Sequence, residues 1–240
     1  MKKGQKKKQD KALKKRTKEK LAQKRDRVLG VMTALYQVRQ ARNYPIEGCW
    51  VQKDWQNQDG GLVVVVVARR QPNGNIVFGN YLVDVFCLGL KNTFCNADVP
   101  ASQFHHEQLP RLYRSTAPPM SISPALAHEI IYGGIEYAAK FGFRPQRDFR
   151  DSQWVLDPPE AHPRSGKVEF GKDGKPLFVS GPYDNAEAIV RQLMHTAGEG
   201  NFNYLMMLGE PPDDFFVEDD DDFEEEEGVN SRSLSLPING

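Results

Sequence analysis

The apolar residues of this 240-residue chain fall into blocks whose period changes along its length. LVVVVVARR, residues 62–70, is an unbroken run rich in β-branched side chains. Such a run suits a strand buried on both faces, because branched side chains pack well on a pleated surface. IEGCWVQKDW before it reads as a second strand. Asn73-Gly74 tolerates the positive φ angles of a tight hairpin turn. NIVFGNYLVDVFCLGL beyond that turn reads as one returning antiparallel strand, which makes three adjacent strands in a meander.

Elsewhere the period is helical. Val28, Met32, Leu35 and Tyr36 fall at i, i+4, i+7 and i+8, one face of a helix that Asn43 and Pro45 stop. Ser123 and Pro124 mark the cap and first turn of another helix, with Ile130, Ile131, Ile135, Ala138 and Ala139 on its apolar side and Gly142 at its end. Gly133 and Gly134 inside it cost about 1 kcal/mol each relative to Ala, so another backbone is expected to pack closely there. KVEFGKDGKPLFVSGP reads as a hairpin turning at Asp173-Gly174. Asp184, with Glu187 three residues on, reads as a reciprocal cap. The helix it starts would bury Ala188, Ile189, Leu193 and Met194, and NFNYLMML would close the fold as a strand. Residues 91–120 and 145–166 show no sustained period. Strand groups with helices between them predict an α+β fold, an antiparallel β-meander and a second hairpin packed with two to three helices.

Charge divides the chain into three parts. Residues 1–27 hold 14 bases and 3 acids, and residues 210–240 hold 12 acids and 1 base. The middle, residues 28–209, is balanced at 17 of each, and is expected to be a single domain. The basic arm reads as a solvated helix or as chain without fixed structure, and the acidic tail as disordered, since neither has apolar surface enough to offset ordering entropy. No apolar run approaches the ~20 residues of a membrane span, and the start lacks the apolar stretch of a signal peptide. Cys49, Cys87 and Cys95 cannot all pair with one another, so reduced thiols and a cytoplasmic location are expected.

GNYLVDVFCLGLKNTF, HEIIYGGIEYAAKFGFRPQRDF, GKDGKPLFVSGPYDN and GEGNF resemble segments of a group of bacterial proteins without an assigned activity. The resemblance spans about residues 45–205. It implies one domain over that span and a bacterial source, and it carries no catalytic residues.

Chemistry-bearing side chains are few. His128-Glu129-Ile130-Ile131-Tyr132 opens like the zinc-protease helix motif but has Tyr132 where the second histidine belongs. Cys87, Cys95, His105 and His106 lack paired ligand spacing, so no metal and no cofactor is expected. Gly171-Lys172-Asp173-Gly174-Lys175-Pro176 lacks phosphate-loop spacing, and Ser180 lacks the glycines of a nucleophile elbow. Cys87 with His105 or His106 would make a thiol–imidazole pair only if the fold joined them. Asp84 lies among apolar residues on the face of Leu82 and Phe86, where a carboxylate needs a partner. Arg69 or Arg70 is the expected partner, or Asp84 lines a cleft. Asp84, His105, His128 and Glu129 are therefore the catalytic candidates of a hydrolytic alternative.

The leading expectation is different. It is a non-enzymatic protein contacting RNA or DNA through Lys6, Lys7, Lys8, Lys14, Lys15, Arg16, Lys18, Lys20, Lys24 and Arg25. Residues 1–27 contain no aromatic residue, so that contact would be to phosphates and poor in sequence preference. The acidic tail interleaves Phe215, Phe216 and Phe223 with its carboxylates, a pattern suited to docking a basic groove, a partner, or the chain's own arm. A protein–protein adaptor is the remaining alternative.

Overall fold

The computed structural model describes residues 32–57 and 60–206, together with Gly30 and six positions upstream, Arg16, Thr17, Lys18, Lys20, Leu21 and Arg25. These upstream positions are helical and exposed. Lys6, Lys7, Lys8, Lys14, Lys15 and Lys24, and the tail with Phe215, Phe216 and Phe223, lie outside the described residues.

The fold is α+β. Its centre is a five-stranded antiparallel sheet of order β4-β3-β2-β1-β5, built from β1 (Ile46–Gln52), β2 (Leu62–Arg70), β3 (Ile76–Asp84), β4 (Gly89–Val99) and β5 (Pro119–Ile122). β2 is the middle strand, and its alternation explains the unbroken apolar run. Val63, Val65 and Val67 enter one core, while Val64, Val66 and Ala68 enter the other. Each face buries its half of the strand.

The first face is covered by α2 (Pro124–Ala139), whose Ala127, Ile130 and Ile131 pack on the sheet with Val155 and Leu156. Ser123 caps this helix by accepting the N–H of Leu126. The glycine pair does make room for close neighbours, but the nearest are side chains and not the backbone that the sequence implied. A Cβ on Gly133 would meet the Phe170 ring at 2.5 Å, and one on Gly134 would meet Val83 at 2.6 Å.

The second face is covered by α1, which runs through Ala101–Gln103, a wider π-helical turn at Phe104–Gln108, and Leu109–Leu112. Pro110 accounts for the wide turn. Its nitrogen cannot donate to the carbonyl four residues back, and its ring crowds that carbonyl. The Leu109 N–H instead reaches the Phe104 carbonyl, five residues back. Phe104, Leu109 and Tyr113 then pack on Val64, Val66, Ala68, Ile76 and Phe78.

Four local expectations need correction. The stretch from Asn75 to Leu90 is two strands, because the Asp84 carboxylate accepts the N–H groups of Phe86, Cys87 and Leu88 and folds the chain into a turn. The Asp173-Gly174 turn exists, closed by a Lys172–Lys175 bridge, but no long hairpin follows. β6 (Leu177–Val179) pairs in parallel with β7 (Asn203–Leu205). The third correction concerns α3 (Ala186–Thr196), which is capped by Asn185 and not by Asp184. Asp184 binds Lys91 and the Gly181 N–H, and Met194 is exposed while Leu193 is buried. Finally, helical residues 32–39 bury Val38 and leave Met32 and Tyr36 exposed.

Candidate functional site

β2 ends in two arginines, and strand alternation sends them to opposite faces. Arg69 is nearly fully buried beneath α2. Its guanidinium donates to the carbonyls of Val155 (2.6 Å) and Tyr44 (2.8 Å) and to Asp157 Oδ1. Asp157 Oδ2 in turn accepts from His162 Nε2 at 2.9 Å. Arg70, on the other face, holds Glu47 through two hydrogen bonds, and Glu47 Oε1 accepts from His105 Nε2 at 3.0 Å. The same order of groups, guanidinium to carboxylate to imidazole, thus occurs twice at one end of the sheet.

The first cluster is the denser one. His128 lies beside it, its ring 4.5 Å from that of His162. His128 Nδ1–H donates to the Pro124 carbonyl at 2.7 Å, and Nε2 accepts the Asp157 N–H at 2.9 Å. Both nitrogens are therefore used as in the neutral imidazole. Burial pushes the His128 pKa down to about 4, consistent with that state. Burial alone would raise Asp157, but hydrogen bonds from His162 and Arg69 outweigh it and hold the carboxyl below its ordinary value. At Glu47 the Arg70 hydrogen bond is the largest influence and lowers the pKa against burial.

Segment 152–157 is fastened by three further side chains besides Arg69 and His128. Tyr81 Oη donates to the Ser152 carbonyl at 2.9 Å, and Arg42 to those of Gln153 (3.2 Å) and Leu156 (2.9 Å). Tyr132 Oη donates to the Asp157 carbonyl at 3.1 Å.

His128, Asp157 and His162 each place a ligand-type atom within 4.8 Å of the others. The donor set suits a clamp better than a cation site. The His128 lone pair already accepts an N–H, and Arg69 already neutralises Asp157. His162 and Asp157 are each about a quarter accessible, and the Asp157 carboxylate orients the His162 ring.

The candidates named from sequence do not converge. Asp84 pairs with Leu62 at the start of β2, seven residues from Arg69. At about 3.3 Å per residue that is roughly 23 Å along the strand, so neither Arg69 nor Arg70 is its partner. Its oxygens are taken up by the three backbone N–H groups of its own turn, and burial pushes its pKa up to about 6. It does not line the neighbouring cleft of about 270 Å³, which is bounded by Trp55, Val85, Phe86, Lys167 and Lys172. His105 is on the opposite face from His128. Glu129 faces the 165–168 segment, accepting from the Ser165 hydroxyl and the N–H groups of Lys167 and Val168. Burial would raise its pKa, and these bonds bring it below the ordinary value. Cys87 packs with Phe178, Leu193 and Phe202, away from both His105 and His106. Burial pushes Cys49 up to about 12 and Cys95 up to about 11, so neither is a ready thiolate.

Asp157 and His162 escaped the sequence reading. DPPEAHPRSG has no helical or strand period, and nothing in it marks a contact with residues 29 or more positions away. The one available signal was the buried arginine at the end of an apolar strand, which needed a distant carboxylate.

Comparison with family models, curated proteins and solved structures finds no match to the chain. Among the described residues no helix is long and apolar enough to cross a membrane.

Proposed function

We propose that the protein is a non-enzymatic cytoplasmic binding protein that contacts the backbone of RNA or DNA through residues 1–27, with residues 210–240 competing for the same bases. The observation that carries this reading is the segregation of charge, 14 bases against 3 acids at one end and 12 acids against 1 base at the other, around a balanced middle. Clustered bases displace counterions from phosphates, and that release drives binding without reading sequence. The folded middle is consistent with a supporting role. Asp84, His128 and Glu129 direct their polar atoms largely at the fold's own backbone groups.

The test is binding to total RNA and to duplex DNA across a salt series. It uses the full chain, a variant lacking residues 1–27 and a variant lacking residues 210–240. About 6–10 phosphate contacts predict a loss of roughly 10³–10⁵ in affinity between 50 and 200 mM salt. Loss of the arm abolishes binding on this reading, and loss of the tail strengthens it at low salt. Unchanged affinity without the arm rejects the reading.

A further inference from the structure

The sheet face under α1 is only partly covered. α1 lies over Val64, Val66, Ala68, Ile76 and Phe78, and the part toward the β4 edge is left open. Cross-strand register places Asn80 opposite Phe94, Leu82 opposite Asn92, and Phe78 opposite Asn96. These side chains share one face, because alternate residues of a strand point the same way. Phe94 is 44% exposed and is the one exposed phenylalanine among the described residues. Asn92 and Asn96 beside it are exposed as well.

Two features distinguish this patch from an ordinary polar surface. The Phe94 ring is held edge-on against Phe78, with centroids 6.2 Å apart, so an apolar ring face is presented in a fixed orientation. The carboxamide of Asn80, directly across from it, has a buried Oδ1 with no hydrogen-bond partner. It is the one such side-chain atom among the described residues, and buried polar atoms are ordinarily satisfied. An aromatic face ringed by neutral amides matches one ligand chemistry well. A flat heterocycle stacks on the ring while its edge exchanges hydrogen bonds with the exposed carboxamides of Asn92 and Asn96.

We propose that Phe94, with Asn80, Asn92 and Asn96, forms a stacking site for an unpaired base of single-stranded nucleic acid. The inference rests on the nucleic-acid reading above and supplies what the arm lacks. The arm has phosphate-binding charge and no aromatic residue, and the sheet has an aromatic platform without charge. Together they favour single strands over duplexes, because a paired base cannot lie flat on a protein ring.

The experiment uses the full-length chain and fluorescence anisotropy at one salt concentration. The probes are a 12-nucleotide single-stranded RNA, the same sequence as DNA, and the matching duplexes. Phe94→Ala and Phe94→Leu are expected to lower single-strand affinity roughly tenfold or more, the scale of one lost base–aromatic stack. Phe94→Tyr keeps a ring and should bind as the unmodified chain does, and duplex affinity should not change. Phe94→Leu keeps apolar bulk, so a thermal melt close to the parent's separates stacking from folding.

Equal affinity across all Phe94 variants overturns the stacking site and leaves the arm reading standing if removal of residues 1–27 still abolishes binding. Equal loss on single strands and duplexes also overturns it. Absence of binding by the unmodified chain to every probe overturns both readings.

Discussion

Arg69 and Arg70 are neighbours in the chain and stand back to back across the sheet, Arg69 holding Asp157 on one face and Arg70 holding Glu47 on the other. The two pairs differ in exposure. The Arg69 side chain is 3% accessible and that of Arg70 is 41%. Removing the carboxylate beneath Arg69 strands a buried charge, whereas Arg70 can turn to water. Asp157→Asn should therefore destabilise by about 3 kcal/mol and Glu47→Gln by about 1 kcal/mol or less. Urea midpoints of the two variants measure the difference, and equal losses would contradict the burial argument.

Asp84 and His128 should act in opposite directions on stability over one range of pH. His128 falls from 6.5 to about 4 on folding, so the unfolded chain takes up its proton first as pH drops. Its contribution, on the order of 3 kcal/mol, is present above pH 6.5 and is lost as pH falls through 4. Asp84 rises from 3.8 to about 6. The folded chain protonates first there, so its contribution is present below pH 3.8 and is lost as pH rises through 6. The two slopes largely offset. Asp84→Asn should expose the histidine slope, and its unfolding midpoint should decline more steeply than the parent's between pH 6.5 and 4. Parallel pH profiles would argue against the Asp84 shift.

Gly89 and Gly133 offer a further comparison. Gly89 has φ +67°, and a Cβ there would meet the Gly134 carbonyl oxygen at 2.6 Å. Backbone cannot step aside, so Gly89→Ala should lose about 2 kcal/mol or more from strain and overlap together. At Gly133 the obstacle is the Phe170 ring, which can rotate, and alanine gains about 1 kcal/mol of helix propensity. Gly133→Ala should therefore lie much closer to the parent. Thermal melts of both variants decide between these outcomes.

Strong periods were legible in the sequence and weak ones were not. The apolar run at 62–70 became the central strand, and the Ser123-Pro124 start of α2 was read correctly, while its glycine pair meets side chains first where a backbone was expected. β4 was missed because GLKNTFCNADV is half exposed and its register shifts near Lys91, which breaks the alternation. β5 has four residues and owes its existence to pairing with β1. The helix before β1 turned the other way because Val38 finds the core while Met32 and Tyr36 do not. As for the site, sequence located His105, His128 and Glu129 as individual polar residues in or near apolar segments. It could not supply their partners: Asp157, His162 and Ser165 reside in aperiodic chain brought into place by long-range hydrogen bonds, and Glu47, the partner of His105, lies on a strand 58 residues away in sequence.

Those long-range bonds also govern how the chain should meet a protease. A stretch as poor in regular structure as 145–166 is ordinarily among the first to be nicked, because loops open locally at little cost. Here Arg42, Arg69, Tyr81 and Tyr132 each donate to a carbonyl between Ser152 and Asp157, and His128 accepts the Asp157 N–H. Opening that stretch means breaking contacts to both the sheet and α2, so cleavage within 152–157 should follow the global unfolding equilibrium instead of local fraying. What looks in the sequence like a linker behaves mechanically as part of the core.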